Sequence, residues 1–426
     1  MSRIAIVSGI RTPFVKAWTL FGDMSAQELG RIAVSELLHR SELDPALVDE
    51  VIIGSVAGAP EAANIARVIS LYAGIPYEKR AYTVSRNCAS GIEAVTSAAE
   101  KIQSGVDEIV IAGGTESMSN IPLLYGRKAT KIFLQLSRAK SPLEKLKWFT
   151  ALSPSLLLNP VVGVQLGLSD PVCGLNMGQT AEILAKEFTI SRKEQDEFAL
   201  ASHKKAIAAR EKLREEIVPV IAAPGYEQAV EDDNGPRENQ TMEALEKLRP
   251  LFDRFHGTVT AGNSSQITDG ACALLVMKEE KAKELGFTPL GYVRAYTYVG
   301  CEPSHMGLGP AYAIPQALKK AGVRLGDIGL VEINEAFATQ VIACQRALDS
   351  SQFAAKHCGL SKAIGAIDSA IVNVNGGAIA LGHPVGTSGA RLILTLLKEM
   401  ARRNVGLGLV SLCVGGGQGA AIILEK

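Results

Sequence analysis

The chain has 426 residues, of which 47% are apolar and 21% are charged, so it is long and apolar enough to bury more than one core. Its 44 basic and 44 acidic side chains cancel. The chain as a whole therefore has no net field that would attract nucleic acid or an anionic membrane, so any anionic ligand must meet a local basic patch, and we expect no nucleic-acid partner.

Residues 1–119 alternate short apolar runs with longer amphipathic segments. The runs are IAIVSG, DEVIIGSV, AYTVS and EIVIAGG, and helical patterns separate them at 26–38, 64–72 and 89–103. Such runs indicate strands of a sheet covered by helices. We therefore predict an α/β fold whose N-terminal half is completed by residues 249–280.

Residues 120–248 interrupt this pattern with a mostly helical insertion that resembles a loop or lid. Its early part, residues 121–169, holds seven basic residues against one acid, Glu144. The basic residues are Arg127, Lys128, Lys131, Arg138, Lys140, Lys145 and Lys147. A basic helical segment with Leu, Phe and Trp can lie on a membrane surface or dock on a partner. A solvated hairpin packed on its own domain is the alternative.

Residues 281–426 repeat the order of elements of the first half. Ser90-Gly91 before one predicted helix resembles Ser388-Gly389 before another, and a strand ending in glycine follows each helix. Similar halves are explained by duplication, and we expect them to pack together. A site at their junction would draw residues from both.

The seven cysteines are odd in number, widely scattered and never in a CxxC pair. This argues against a disulfide framework and against a zinc site, so we expect no metal. The first residues, MSRIAIVSGI, lack the apolar region and cleavage site of a signal peptide. We predict a cytoplasmic protein with reduced thiols.

Cys88, in SRNCASGIEAV, follows a predicted strand and stands at the start of a helix. Free N–H groups and the helix dipole at that position are expected to favour the thiolate and lower the thiol pKa. Cys88 is therefore a candidate nucleophile. A small cysteine of the core is the alternative.

Two further segments near the C-terminus have polar groups among glycines. His383 lies in the glycine-rich segment GGAIALGHPVG, and Cys413 directly precedes Val414 and three glycines that begin at Gly415. Imidazole is the usual base for a thiol, and exposed N–H groups suit an oxyanion hole. Asn334 follows a predicted strand, where sites of α/β proteins tend to lie. Each of these residues, taken singly, also fits a purely structural role.

Cys88 together with NEAFA, GGAIALGHP and CVGGGQG resembles the thiolase family. The resemblance also includes IVSGIRTPF, GGTESMS and TVTAGNSSQITDGA, and it covers nearly the whole chain outside part of the insertion. It implies the thiolase fold, in which duplicated βαβαβαββ halves stack as five layers, α-β-α-β-α. It also implies coenzyme A and acyl-CoA as substrates, with no permanently bound cofactor.

The resemblance implies a role for each matching residue. Cys88 is the acylated nucleophile, His383 activates it, and Cys413 is the acid and base for the second substrate. Asn334, through a water, joins His383 at one thioester oxygen, and the N–H groups of Cys88 and Gly415 form a second oxyanion hole. The implied substrate contacts are Ser265 at pantetheine and Met177, Met306 and Phe337 at the apolar part of the site.

Two features indicate which subgroup of thiolases the chain resembles: the insertion, and one departure from the motif of short-chain members. Asn176-Met177 stands where short-chain biosynthetic members tend to have His-Met. The basic segment 121–169 resembles the thiolase subunit of the fatty-acid-oxidation trifunctional complex. We therefore expect thiolysis of 3-ketoacyl-CoA in β-oxidation, a homodimer or tetramer, and contact of 121–169 with a hydratase/dehydrogenase subunit or a membrane. NEAFA, however, departs from the HEAFA of some bacterial members.

Two alternatives to this function stay open. An acetoacetyl-CoA thiolase of short-chain or biosynthetic metabolism would use the same chemistry. A non-catalytic lipid-binding relative would keep only the fold.

Overall fold

The computed structural model describes residues 3–426. The first half alternates strands with helices, as predicted. Its elements are β1 (Ile4–Arg11), β2 (Val15–Lys16), α1 (Ala26–Ser41), β3 (Glu50–Gly54), α2 (Ile65–Tyr72), β4 (Arg80–Val84), α3 (Ser90–Gln103) and β5 (Ile109–Glu116). Local chemistry sets the bounds of α1, because the Ser25 side chain caps its first turn and Glu42 ends it in a left-handed conformation.

Residues 121–169 form a compact unit of their own. The unit contains β6 (Leu123–Leu124), α4 (Arg127–Arg138), α5 (Pro142–Thr150), α6 (Pro154–Leu158), β7 (Val161–Val162) and α7 (Gly163–Gly167). Helix α5 begins at a capping box formed by Ser141 and Glu144, and none of its residues is buried.

The rest of the predicted insertion belongs to the larger compact unit, which comprises residues up to 120 and from 170 onward. This part contains α8 (Met177–Glu187), α9 (Arg192–Ala208), α10 (Arg210–Arg214), β8 (Val220–Ile221), β9 (Ala229–Val230) and α11 (Met242–Glu246). The domain boundaries at 119, 248 and 280 stay a prediction.

The remaining elements repeat the first half with one change. They are β10 (Thr268–Lys278), α12 (Glu279–Glu284), β11 (Gly291–Gly300), α13 (Gly309–Ala321), β12 (Leu330–Ile333), α14 (Ala338–Leu348), α15 (Ser351–Phe353), α16 (Ala378–Leu381), α17 (Ser388–Arg403), β13 (Leu407–Val414) and β14 (Gln418–Glu425). Where the first half has β4, the second has only an isolated bridge between Val331 and Val372.

The long strands form one mixed sheet in the order β12-β13-β14-β11-β1-β10-β5-β3-β4, and β2 pairs with β10. In each half the strands nearest the outer edge are parallel, and the strands nearest the centre are antiparallel. One apolar core lies between the first half and α1 with α2, and another between the second half and α13 with α14. A middle core contains α3 and α17 with strands of both halves. The predicted order of five layers is confirmed.

Helices α3 and α17 touch at the glycines of the repeated Ser-Gly pairs. A Cβ atom on Gly91 would lie 2.5 Å from the backbone nitrogen of Ala390, and one on Gly389 would lie 2.6 Å from that of Ile92. Only glycine fits at such a backbone approach. The contact brings together the start of α3, just after Cys88, and the start of α17, just after the His383 segment.

Within residues 3–426, no helix has the length and apolar character needed to cross a membrane.

Candidate active site

Cys88 lies in a tight turn between β4 and α3. The Arg86 carbonyl accepts a hydrogen bond of 3.0 Å from Ala89, and the Asn87 carbonyl accepts one of 3.0 Å from Ser90. Asn87 has a φ of 43°, which asparagine adopts more readily than most residues. Because the first helical residue is Ser90, Cys88 stands just before the helix and not within its first turn.

The predicted lowering of the Cys88 pKa was wrong. Burial raises the pKa of this thiol, although its own N–H and that of Gly415 donate hydrogen bonds to it and oppose the shift. A charge near a helix N-terminus gains about 0.3–1 kcal/mol, and the cost of removing an ionised group from water outweighs this gain here. The free thiol therefore keeps its proton at neutral pH and needs a base.

Cys413 is the next-to-last residue of β13 and is fully buried. It packs in an apolar cluster with Met306 and Phe337, against which Met177 also packs. Burial first, and then the negative charge of a Cys88 thiolate, raises the pKa of Cys413 well above its ordinary value. Cys413 is therefore a proton donor beside Cys88, which brings both thiols of the prediction into one site.

The glycine loop after β13 is fixed at two carbonyls. Asn87 Nδ2 donates a hydrogen bond of 2.7 Å to the Gly415 carbonyl. The backbone N–H of Cys301 donates one of 2.8 Å to the Gly417 carbonyl. Gly416 and Gly417 have φ angles of 90° and 81°, so the turn requires glycine at both positions.

His383 is buried and joined to Asn334 and Ser388. Its Nε2 atom is 3.5 Å from Asn334 Nδ2, and its Nδ1 atom is 2.5 Å from Ser388 Oγ. Burial, and then the positive charge of Arg391, lowers the pKa of His383 to about 4. The imidazole is therefore neutral at physiological pH and can accept a proton. Asn334 is in turn tied to β13, since its N–H donates to the Ser411 carbonyl at 3.0 Å.

Two buried carboxylates hold the segment that carries His383, and the sequence alone predicts a role for neither. Glu116 accepts a hydrogen bond of 2.9 Å from the N–H of Gly386, after the histidine. Glu335 accepts one of 3.2 Å from the N–H of Ile379, before it. Their only sequence signal is their place in the motifs GGTESMS and NEAFA.

The predicted substrate contacts lie around the same cluster. The N–H of Ser265 donates to the Ala336 carbonyl at 2.9 Å, which places it next to Phe337. The Phe337 ring meets Phe252 edge to face at 6.2 Å. Phe252 also lines an open cavity of about 590 Å³. The other residues of its lining are Leu175, Gln179, Glu182, Ile183, Lys186, Leu251, Asp253, Arg254 and Phe255.

Asn176, which stands where short-chain biosynthetic members tend to have histidine, caps the start of α8. Its side chain accepts a hydrogen bond of 2.9 Å from the N–H of Gln179, whose side chain in turn accepts one of 2.9 Å from the Asn176 N–H. Both groups are satisfied within the turn. Met177 follows at the first helical position, and a Cβ atom on Gly415 would lie 3.3 Å from its sulfur.

Two models for the thiolase family match the chain. The thiolase N-terminal domain matches residues 4–280, and the thiolase C-terminal domain matches residues 287–426. A 3-ketoacyl-CoA thiolase of Pectobacterium carotovorum subsp. carotovorum is 45% identical over 99% of this chain and 96% of its own length.

Solved structures agree over the full length. The acetyl-CoA acetyltransferase of Bacillus anthracis is 38% identical, with a TM-score of 0.87 over 100% of this chain and 99% of its own. Human mitochondrial 3-ketoacyl-CoA thiolase in complex with CoA is 36% identical, with a TM-score of 0.85 over 100% of this chain and 98% of its own.

Proposed function

The chain belongs to the thiolase family, and from that premise we propose that it is a 3-ketoacyl-CoA thiolase of fatty-acid β-oxidation. The observation that carries the proposal is the position of the Cys88 thiol. The Gly415 N–H donates a hydrogen bond to it, and Cys88 is close enough to Cys413 for a Cys88 thiolate to raise the pKa of Cys413. A nucleophile, fixed N–H donors and a separate acid are the groups that acyl transfer through a thioester needs.

In the first half-reaction Cys88 is acylated. Its sulfur attacks C3 of the 3-ketoacyl-CoA while its proton passes to His383, and the N–H groups of Cys88 and Gly415 stabilise the oxyanion. The C2–C3 bond then breaks, and the Cys413 thiol protonates C2 of the departing acetyl-CoA. His383 and Asn334, the latter through a water, hold the thioester oxygen of that product, where charge develops.

In the second half-reaction the acyl group moves to coenzyme A. The proton that His383 took from Cys88 first passes to the Cys413 thiolate, so His383 and Cys413 both begin this half-reaction neutral. The coenzyme A thiol then loses its proton to His383 and attacks the acyl carbon, and Cys88 leaves and regains that proton. Every step moves a proton or an acyl group, so none requires a redox cofactor. The reverse sequence is a Claisen condensation.

We assign coenzyme A to the open cavity that Phe252 lines. The cavity reaches the apolar cluster of Cys413 through Phe252, and Lys186 and Arg254 on its wall suit the phosphates of the nucleotide. Ser265 would contact pantetheine, and Met177, Met306 and Phe337 would contact the acyl chain. The resident groups are therefore all side chains and backbone of this chain, and coenzyme A is a substrate.

The test is thiolysis of two purified substrates, 3-ketoacyl-CoA with C4 and C16 chains, in the presence of coenzyme A. We expect both to be cleaved, with acetyl-CoA as a product in each case, and no cleavage by a Cys88→Ala variant. Cleavage of the C4 substrate alone would contradict the β-oxidation role and support an acetoacetyl-CoA acetyltransferase. If neither substrate is cleaved and acetyl-CoA leaves no mass shift on Cys88, the non-catalytic alternative is correct.

We further propose a homodimer through the β4 edge. Strand β4 has a neighbour on one side only, and none of its residues is fully buried. Leu71, Tyr72 and Tyr77, close to it in sequence, are 43%, 67% and 82% exposed. Pairing with β4 of a second copy would satisfy the open strand. Light scattering of the purified protein should give twice the mass of the chain. A monomer would contradict this proposal, and four copies would support a tetramer.

For the unit 121–169 we propose contact with an anionic membrane surface. Leu143, Leu146 and Phe149 share one face of α5 and are 78%, 58% and 65% exposed, and Lys145 and Lys147 stand between them. Apolar side chains beside lysines suit a helix lying in the headgroup region. Such contact is compatible with the predicted cytoplasmic location.

The surface contact is tested by co-sedimentation with phosphatidylglycerol vesicles, with phosphatidylcholine vesicles as the control. We expect binding to the anionic vesicles only, and its loss in a Leu146→Ser, Phe149→Ser double variant that keeps thiolase activity. Failure to bind would contradict the membrane proposal and favour a hydratase/dehydrogenase partner subunit.

A further inference from the structure

The turn before Cys88 and the glycine loop after β13 come from opposite halves of the chain, and one side chain joins them. Asn87 Nδ2 donates a hydrogen bond of 2.7 Å to the Gly415 carbonyl, across 328 positions of sequence. Asn87 directly precedes the nucleophile, and Gly415 supplies the N–H that faces it. The hydrogen bond therefore connects the residues on either side of the reacting sulfur.

Gly415 lies outside the strand ladder, at the start of the glycine turn, so no strand partner holds its backbone. The ladder between β13 and β14 ends at the pair Val414 and Gln418. Beyond that pair, the nearest atoms that a Cβ on Gly415 would meet are Met177 Sδ at 3.3 Å and Asn87 Nδ2 at 3.8 Å. Glycine has the widest conformational freedom of any residue. A donor in an oxyanion hole must nevertheless stay within about 0.5 Å of its position.

The residue type at position 87 meets two demands at once. The backbone there has a φ of 43°, which glycine, asparagine and aspartate adopt more readily than other residues. The contact with a carbonyl oxygen requires a donor, and among these three side chains only the amide of asparagine supplies one. Glycine would keep the turn without the hydrogen bond, and aspartate would direct a carboxylate at the carbonyl.

We propose that Asn87 is a positioning residue for the oxyanion hole: its amide fixes the Gly415 carbonyl and so keeps the Gly415 N–H aimed at the oxygen of the acyl group on Cys88. This inference rests on the proposed thiolase function. It concerns reactions that build negative charge on a thioester oxygen, whereas alkylation of the Cys88 sulfur builds none there.

The test compares two reactions of Cys88 in Asn87→Gly and Asn87→Asp. The rate of acetylation by acetyl-CoA, followed by mass spectrometry of the intact protein, should fall about tenfold in Asn87→Gly. It should fall at least as far in Asn87→Asp. The rate of alkylation by iodoacetamide should fall much less in Asn87→Gly, because alkylation loses only the contact of the Gly415 N–H with the sulfur. In steady-state thiolysis we expect kcat to fall with little change in KM.

Asn404→Gly is the matched control, because Asn404 also has a positive φ, of 55°, and is exposed at the end of α17. It should leave both reactions unchanged. Acetylation of Asn87→Gly at the full rate would overturn the inference and leave the thiolase function standing. An equal fall in acetylation and alkylation would also overturn it, since Asn87 would then only maintain the turn. If the unaltered protein is neither acetylated nor able to cleave a 3-ketoacyl-CoA, the proposed function itself is wrong.

Discussion

The backbone N–H of Gly386 donates a hydrogen bond of 2.9 Å to the carboxylate of Glu116, which is the last residue of β5. The same carboxylate accepts hydrogen bonds of 3.0 Å from the N–H groups of Val56 and Ala57. A single side chain of the first half therefore gathers the loop after β3 and the segment of the second half that carries His383.

Replacement of Glu116 with alanine should destabilise the protein. It leaves three N–H groups without their acceptor, and an unsatisfied buried group costs about 1–3 kcal/mol. Some of these groups will find water, so we expect the free energy of unfolding to fall by about 2–4 kcal/mol in urea titrations. Glu227→Ala, at an exposed position, is the control and should leave the midpoint unchanged. An unchanged midpoint for Glu116→Ala would show that the carboxylate does not hold these loops.

Glu335→Gln tests the other side of the His383 segment with less disturbance. Glu335 accepts hydrogen bonds of 2.8 Å from Asn373 and 2.6 Å from Ser202, besides the one from Ile379. Glutamine keeps the shape, but one of its two ends becomes an NH₂ group that faces a donor, either Asn373 Nδ2 or the Ile379 N–H. We expect kcat to fall by about tenfold while the stability loss stays near 1 kcal/mol, as for one lost hydrogen bond. Wild-type kcat with reduced stability would assign Glu335 to folding alone.

The layers of the fold were predicted correctly because local features of the sequence indicate them. Apolar runs gave the strands, and the repeated Ser-Gly pairs marked the helices that meet between the halves. The pKa of Cys88 was predicted with the wrong sign for a physical reason. The helix start is visible in the sequence, whereas the burial that outweighs it comes from elements far away in the chain.

Glu116, Glu335 and Asn87 were missed for the same kind of reason. A carboxylate in a motif does not reveal which N–H groups it accepts, and the partners of Glu116 are 60 and 270 positions away. Asn87 is equally uninformative by itself, because asparagine is common in turns. The role of Asn87 depends on its hydrogen bond to Gly415, and only the fold brings these two residues together.

Protonation of His383 should make the protein less stable in mild acid. Its pKa of about 4 in the folded chain lies below the ordinary value of 6.5, so between these values the unfolded chain binds the proton first. The contribution of this histidine is fully present above pH 6.5 and is lost as the pH falls toward 4. The slope is at most about 1.4 kcal/mol per pH unit.

The measurement for His383 is the free energy of unfolding from pH 7 to pH 4, compared with that of His383→Asn. The variant should show a shallower decline over this range. It should not become flat, because burial also lowers the pKa of His203 to about 4. Identical slopes in the two proteins would mean that His383 titrates at its ordinary value in the folded chain.

Cys413→Ala should separate the two chemical roles of the site. The Cys413 thiol keeps its proton because burial raises its pKa, so its loss removes the acid that serves C2 of the product, while Cys88 and its N–H donors stay in place. We expect kcat for thiolysis to fall by about 10²- to 10⁴-fold, the range for loss of a general acid. Acetylation of Cys88 by acetyl-CoA should persist in the mass spectrum. Cys272→Ala removes another fully buried cysteine, on β10, and controls for loss of packing. If Cys413→Ala turned over at the rate of Cys272→Ala, another group would have to deliver that proton.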